Sequence, residues 1–251
     1  MNSEKISPLR HVPNAITCLN LFFGCLSISC AYSGMLKAAS YFIVAAAVFD
    51  FFDGFAARAL GAYSAIGKEL DSLADAISFG VAPACVAHVM MLSAAKQYGL
   101  SVEVFAAGWW IATFAFVIAA FSALRLAKFN IDTRQSDSFI GLPTPANALF
   151  FCSLAFISAE NRAWAPLVEN LFFLLATTSV FSYLLVAELR LFSLKFKSFD
   201  WKSNKTRYVF VISCAVILSI FKGAGFAAAI LIYITISILT NILCNKSISG
   251  S

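Results

Sequence analysis

The sequence predicts an all-α fold, a polytopic integral membrane helical bundle of about eight transmembrane helices. Three observations predict it. Hydrophobic residues fill 61% of the 251 positions and charged residues only 12%, about half the charge with which a soluble domain covers its surface. The apolar residues gather into long runs almost free of charge, each close to the ~20 residues that cross hydrocarbon. The basic residues divide unequally between the two sides that these runs define.

The runs lie near 13–35, 38–57, 72–95, 104–124, 143–159, 168–187, 207–221 and 224–244. The first follows "MNSEKISPLRH", basic residues ahead of an apolar stretch, as in a signal peptide. It stays uncharged from Val12 to Leu36, longer than a signal core, so it reads as a retained first helix. The second and third are joined by a short connection containing Arg58 and Lys68, which makes them antiparallel neighbours. The seventh, Tyr208–Phe221, is short and borrows flanking residues such as Lys222, whose stem can snorkel. The eighth returns the chain to the side on which it began.

Eight spans place both termini on one side. Lys37, Lys96, Arg162 and Lys222 fall on the opposite side, leaving the other 14 of the 18 basic residues with the termini. That bias makes the terminal side, and the loop around Arg58, cytoplasmic. The net charge of +5 suits a membrane face near anionic lipid, and nothing in the chain points to nucleic acid. The seven cysteines stand singly inside apolar runs without a C-x-x-C, and the two histidines have no metal-site spacing. They read as small hydrophobes in reduced or lipid surroundings. No stretch is long or polar enough for a separate soluble domain, so residues 1–251 form one membrane domain.

Against this background one segment stands out. "FDFFDGFAARALGAYSAIGKELDSLADAISFG", residues 49–80, holds Asp50, Asp53, Asp71, Asp75 and Glu69, five of the 13 acidic residues. Asp50 and Asp53 are three apart near the end of the second helix; Asp71 and Asp75 are four apart near the start of the third. Each pair shares a helix face, and antiparallel neighbours bring the two faces together. On a soluble helix such aspartates are ordinary solvated surface. In a membrane helix each costs about 2.5–3.5 kcal/mol at the centre on insertion scales, and four like charges repel. Divalent cations supply the missing counter-charge. All-oxygen ligation favours magnesium, manganese or calcium over zinc, and paired ions suit phosphoryl chemistry. Gly54 and Gly67 leave backbone open for a bulky polar ligand or, equally, let helices approach closely. Arg58 reads as a diphosphate clamp or as a positive-inside anchor.

The full spacing is Asp50-x2-Asp53-Gly54-x2-Ala57-Arg58-x8-Gly67-x3-Asp71-x3-Asp75. It resembles the signature of the CDP-alcohol phosphatidyltransferase family at all eight fixed positions. The resemblance implies transfer of a substituted phosphate from a CDP-linked lipid to an alcohol with release of CMP. It implies two divalent cations, Mg2+ or Mn2+, held by Asp50, Asp53, Asp71 and Asp75, with Asp75 also the general base. It assigns nucleotide and diphosphate contacts to Asn14, Thr17, Gly54, Ala57, Arg58, Ser64 and Gly67. It implies a catalytic six-helix-type core in 1–160, with 161–251 supplying the remaining transmembrane helices, and a homodimer.

Four further stretches, "PNAITCLNLFFGCLSI", "DSLADAISFGVAPA", "ALRLAKFN" and "FIGLPTPA", resemble the bacterial and archaeal phosphatidylserine synthase branch. That branch implies CDP-diacylglycerol and L-serine as substrates in phospholipid biosynthesis at the cytoplasmic membrane. Serine carries a carboxylate, so the acceptor site wants a cation besides the metals; Arg125, Lys128 and Arg190 are the candidates. Lys128 departs from the branch, which commonly has arginine there. The last two helices show no chemistry of their own. Alternatives are another acceptor (glycerol phosphate, inositol phosphate or choline) and, from a different class, a cation transporter. A transporter tends to place its carboxylates near the midplane among repeats, and this chain does neither.

Overall fold

A computed structural model describes residues 11–131, 139–161, 163–191 and 201–249. Lys5, Arg10, Arg134, Arg162, Lys195 and Lys197, which belong to the charge count, lie outside the described residues. Eight long helical rods follow one another: α1 Val12–Tyr32, α2 Leu36–Ala59, α3 Ala65–Gln97, α4 Ala107–Ile131, α5 Thr144–Glu160, α6 Leu171–Val186, α7 Trp201–Phe221 and α8 Gly225–Ser249. The fold is therefore helical, as predicted, with one small addition. Two-residue strands β1 (Phe139–Ile140) and β2 (Arg190–Leu191) pair antiparallel, Ile140 opposite Arg190.

Five stretches are long and apolar enough to cross a membrane: α1, α2, α3, α4 and Phe210–Leu239; α6 is a shorter apolar helix. The last stretch contains two rods. Phe210 and Tyr233 hold their rings 5.6 Å apart across it in a tilted contact, so α7 and α8 fold back on each other through the turn at Lys222–Ala224. The helix that carries the short span expected at Tyr208–Phe221 is longer than the span itself: α7 starts at Trp201 and has 21 residues, and its apolar stretch begins at Phe210.

Local chemistry explains the breaks. Pro13 opens α1, where a missing N–H costs nothing. Gly34, at φ 76°, ends it with a left-handed turn in which the N–H groups of Ser33, Gly34 and Met35 donate back to carbonyls of α1. Ser64 caps α3, its Oγ accepting the Gly67 N–H at 2.9 Å. Within α3, residues Ala76–Val81 form a π-helical turn between two α-helical parts, Ala65–Asp75 and Ala82–Gln97. Pro83 gives a reason: it cannot donate to residue 79 and its ring crowds that carbonyl, and the wider turn before it absorbs the mismatch.

The second half of α3 is the axis of the bundle. Ala84, Val86, Ala87, Met91 and Ala95 are fully buried there, and Phe79, Phe151, Phe156 and Ile43 fill the space around them. A helix apolar on every side belongs in such a position, while α1 and α2 show aromatic and aliphatic side chains outward, as lipid-facing helices do. α1 packs along α2 and crosses α3; α4 packs on the π turn and on α6; α5 touches α2, α3 and α8.

The two ends of the bundle sort as the charge pattern expects. At one end Lys37 pairs with Glu160 at 2.6 Å, Asn170 bonds to the Tyr98 hydroxyl, and Gly223 lies against Phe156. At the other end lie the α2–α3 connection, the close of α4, the start of α5 and the β pair. Gly141, at φ 78°, holds that second end together. A Cβ there would sit 2.5 Å from the Leu185 carbonyl oxygen, so only glycine lets the chain pass α6 and enter α5.

Candidate active site

The four aspartates converge at the end of the bundle that holds the α2–α3 connection. Asp50, Asp53 and Asp71 each offer a carboxylate oxygen, all within 4.8 Å of one another. Asp75 lies beside them, close enough for its carboxylate to interact with those of Asp50 and Asp71. Asp53 is 6% exposed and the other three are half-buried. Oxygen donors this close, with no lysine or arginine paired to them among the described residues, fit hard divalent cations. The prediction from helical spacing therefore holds in space: two i, i+3/i+4 pairs on antiparallel rods form one acidic centre.

α1 supports that centre with a stripe of polar side chains. Thr17 Oγ1 donates to Asp53 Oδ2 at 2.7 Å and also lies 3.0 Å from the Pro13 carbonyl. Asn20 Nδ2 donates to Asp75 Oδ1 at 3.4 Å. Ser78 Oγ, from the π turn, donates to the Asn20 carbonyl oxygen at 3.0 Å. The π turn follows Asp75 directly, so the distortion of α3 and the placing of its last aspartate are one local event.

On the outer side of the cluster opens a cleft of about 230 Å3. Asn14, Thr17, Asp53, Gly54, Ala57, Arg58, Ser64, Gly67 and Asp71 all line it, which brings together every residue assigned to nucleotide and diphosphate contacts. The two glycines turn out to differ. A Cβ on Gly54 would lie 3.6 Å from Arg58 Nη1, ordinary contact, so its absence leaves room beneath the guanidinium. A Cβ on Gly67 would lie 2.9 Å from Asn14 Oδ1 and 3.0 Å from Ser64 Oγ. At Gly67, close approach of α1 and α3 is the reason for the glycine.

The three acceptor candidates part company. Arg125, on α4, is 7% exposed and within electrostatic reach of Asp75 and Tyr233, with its guanidinium 5.8 Å from the Phe129 ring. Its Nε has no partner. Lys128, one turn further on, is exposed. Arg190 has its backbone in the β pair, and its side chain lies outside the described residues.

Several groups at the site were not singled out from sequence. Asn20 continues the spacing of Asn14 and Thr17, three residues on each time, and that polar stripe in an apolar run was its signal. Lys68 and Tyr63 also line the cleft. Asn130 Nδ2 donates to Ser72 Oγ at 2.9 Å and so fastens the end of α4 to α3. From α8, Tyr233 comes within electrostatic reach of Arg125.

Comparison with known proteins agrees with this geometry. The profile of the CDP-alcohol phosphatidyltransferase family matches residues 10–184. A CDP-diacylglycerol–serine O-phosphatidyltransferase of Helicobacter pylori is 32% identical over 253 residues, covering 98% of this chain and 99% of its own. The enzyme of that name from Bacillus subtilis is 34% identical over 148 residues, 59% of this chain and 77% of its own. An archaetidylserine synthase of Methanothermobacter thermautotrophicus is 35% identical over 155 residues, 61% of each chain.

Proposed function

This chain belongs to the CDP-alcohol phosphatidyltransferase family, and from that premise we propose that it is a phosphatidylserine synthase of phospholipid biosynthesis. It moves the phosphatidyl group of CDP-diacylglycerol to the hydroxyl of L-serine and releases CMP. The observation that carries this reading is the acidic cluster at the mouth of a cleft lined by the nucleotide-contact residues. The near end-to-end similarity to a serine-specific relative supports serine as the acceptor.

Each residue then has a task. Asp50, Asp53, Asp71 and Asp75 would hold two divalent cations, Mg2+ or Mn2+. When bound, those ions neutralise charge on the diphosphate as CMP departs. Asn14, Ala57, Ser64 and Gly67 shape the bed of the cytidine and ribose, and Arg58 donates to the diphosphate from above Gly54. Thr17 fixes one oxygen of Asp53 and leaves the other free to ligate. Serine's hydroxyl is a weak nucleophile at neutral pH, so Asp75 takes its proton as the oxygen attacks the phosphatidyl phosphorus. The bond from that phosphorus to the CMP oxygen breaks, and the electron pair leaves with CMP. Arg125, on the Asp75 side, receives the serine carboxylate, with Lys128 and Arg190 as further cations at that end.

The same reading makes all eight rods spans of one membrane domain, with 1–160 the catalytic core and 161–251 the remaining helices. Both termini and the site face the cytoplasm, where CDP-diacylglycerol and serine meet at head-group level. By family resemblance the chain works as a homodimer. The test is an acceptor panel on the purified protein, with CDP-diacylglycerol and Mg2+ or Mn2+ and release of CMP as the readout. We expect release with serine and none with glycerol phosphate, inositol phosphate or choline, and none with serine once the cations are chelated. Release with glycerol phosphate and not with serine overturns the acceptor.

A further inference from the structure

Polar side chains that are buried in a protein nearly always have a partner, and lipid offers none from outside. A group of them without partners lies on α4, α5 and α6. Asn147 is fully buried and neither its Nδ2 nor its Oδ1 is hydrogen-bonded. Thr144 Oγ1, Ser182 Oγ, Ser122 Oγ and Arg125 Nε are likewise buried and unpartnered.

Packing brings these groups to one region. Phe150 and Phe181 stack at 3.6 Å and set the register of α5 against α6; the Leu142 N–H bonds to the Leu184 carbonyl at 2.8 Å a turn nearer the site. Asn147 precedes Phe150 by three residues and so shares its face of α5, and Ser182, beside Phe181 on α6, is buried. Ser122 and Arg125 share one face of α4, which packs on α6 and on the π turn. Gly80 of that turn lies close against α4, since a Cβ would stand 3.1 Å from Ser122 Cβ, tighter than ordinary contact. α5 touches the same turn. The unpartnered groups are thus carried by α4 and α5, which pack on the π turn that follows Asp75, and by α6, which packs on α4; of them Arg125 is within electrostatic reach of Asp75.

We propose that Asn147, with Thr144 beside it, is a specificity-determining residue that reads the amino-acid end of the acceptor. The proposal rests on the phosphatidylserine synthase reading. A zwitterionic amino alcohol brings an ammonium, which donates, and a carboxylate, which accepts. A carboxamide is the uncharged side chain that answers both, Oδ1 accepting from the ammonium and Nδ2 donating to the carboxylate. Arg125 Nε adds a charge-assisted donor to the carboxylate. An acceptor lacking either group leaves buried polar atoms unpaired, which is how such sites reject analogues.

The test compares the wild-type protein with Asn147→Leu, which keeps the branched shape and removes both polar atoms, and with Thr144→Val. CMP release is measured with L-serine, with ethanolamine (no carboxylate) and with 3-hydroxypropionate (no ammonium). For Asn147→Leu we expect the KM for serine to rise at least tenfold, with the KM for CDP-diacylglycerol and the midpoint of thermal unfolding unchanged. The preference for serine over the two analogues should fall by a similar factor. Thr144→Val should shift the same quantities in the same direction by less, and it carries the test alone if Asn147→Leu does not insert. An unchanged serine KM and unchanged preference in both variants overturns the proposal, as does an equal rise in both KM values. A wild-type protein that releases no CMP with serine fails the functional reading itself, so the two failures are distinguishable.

Discussion

Thr17 and Asp75 show how single side chains divide the work of the acidic centre. Asp53 sits almost fully buried and takes its hydrogen bond from Thr17 at 2.7 Å. A hydrogen bond to a charged group contributes roughly 1.5–3 kcal/mol. Thr17→Val keeps the shape and removes that bond, so the Mg2+ or Mn2+ concentration needed for half-maximal activity should rise roughly tenfold or more. A titration of activity against metal, with folding checked by thermal unfolding, reads this directly; an unchanged metal requirement removes Thr17 from the site. Asp75 faces the other way, toward Asn20 and Arg125. Asp75→Asn keeps the volume and the Asn20 contact but cannot accept the serine proton. CMP release should fall by at least a hundredfold while the protein inserts and folds normally. Near-normal turnover in that variant would remove the base from the mechanism.

Helix α3 carries the site because it is not a uniform helix. The π turn at Ala76–Val81 puts Ser78 against α1 and Gly80 against α4, and Gly24 makes the first approach possible. A Cβ on Gly24 would overlap the Ser78 hydroxyl and stand 2.9 Å from its Cα. Gly24→Val should therefore push α1 from α3 and draw Asn20 away from Asp75. Overpacking of this kind costs about 1–3 kcal/mol. The expected outcome is a lower unfolding midpoint together with a loss of activity larger than the stability change explains, read by thermal unfolding and CMP release side by side. The rods themselves were legible in the sequence because lipid requires uninterrupted apolar runs with internal hydrogen bonds. The aspartate cluster was legible because i, i+3 and i, i+4 spacings define a face. The π turn was not, since an extra residue in one turn leaves composition and charge untouched. Nor was the start of α7 at Trp201, where "WKSNKTR" is too polar to read as part of a span.

For the whole molecule, the pattern of charge and the packing of ends are two independent descriptions of one arrangement. Lys37 and Glu160 meet at one end, and Arg58, the aspartates and Asn130 gather at the other. On the reading proposed above, the positive-inside bias turns this second end to the cytoplasm, and the proposed chemistry asks for the same, because a CDP-linked lipid and free serine would meet there. Tyr63 in the α2–α3 connection is 74% exposed and Trp164, beyond α5, is 59% exposed, so each marks one end. In a background with the seven native cysteines replaced by serine, Tyr63→Cys should react with a membrane-impermeant maleimide only from the cytoplasmic side of sealed vesicles. Trp164→Cys should react only from the opposite side. The reverse pattern would place the active site outside the cell, where CDP-diacylglycerol is not supplied, and would break the link between charge bias and function. Labelling of both from one side would instead require an even number of crossings between the two positions, contrary to the three rods, α3, α4 and α5, that separate them.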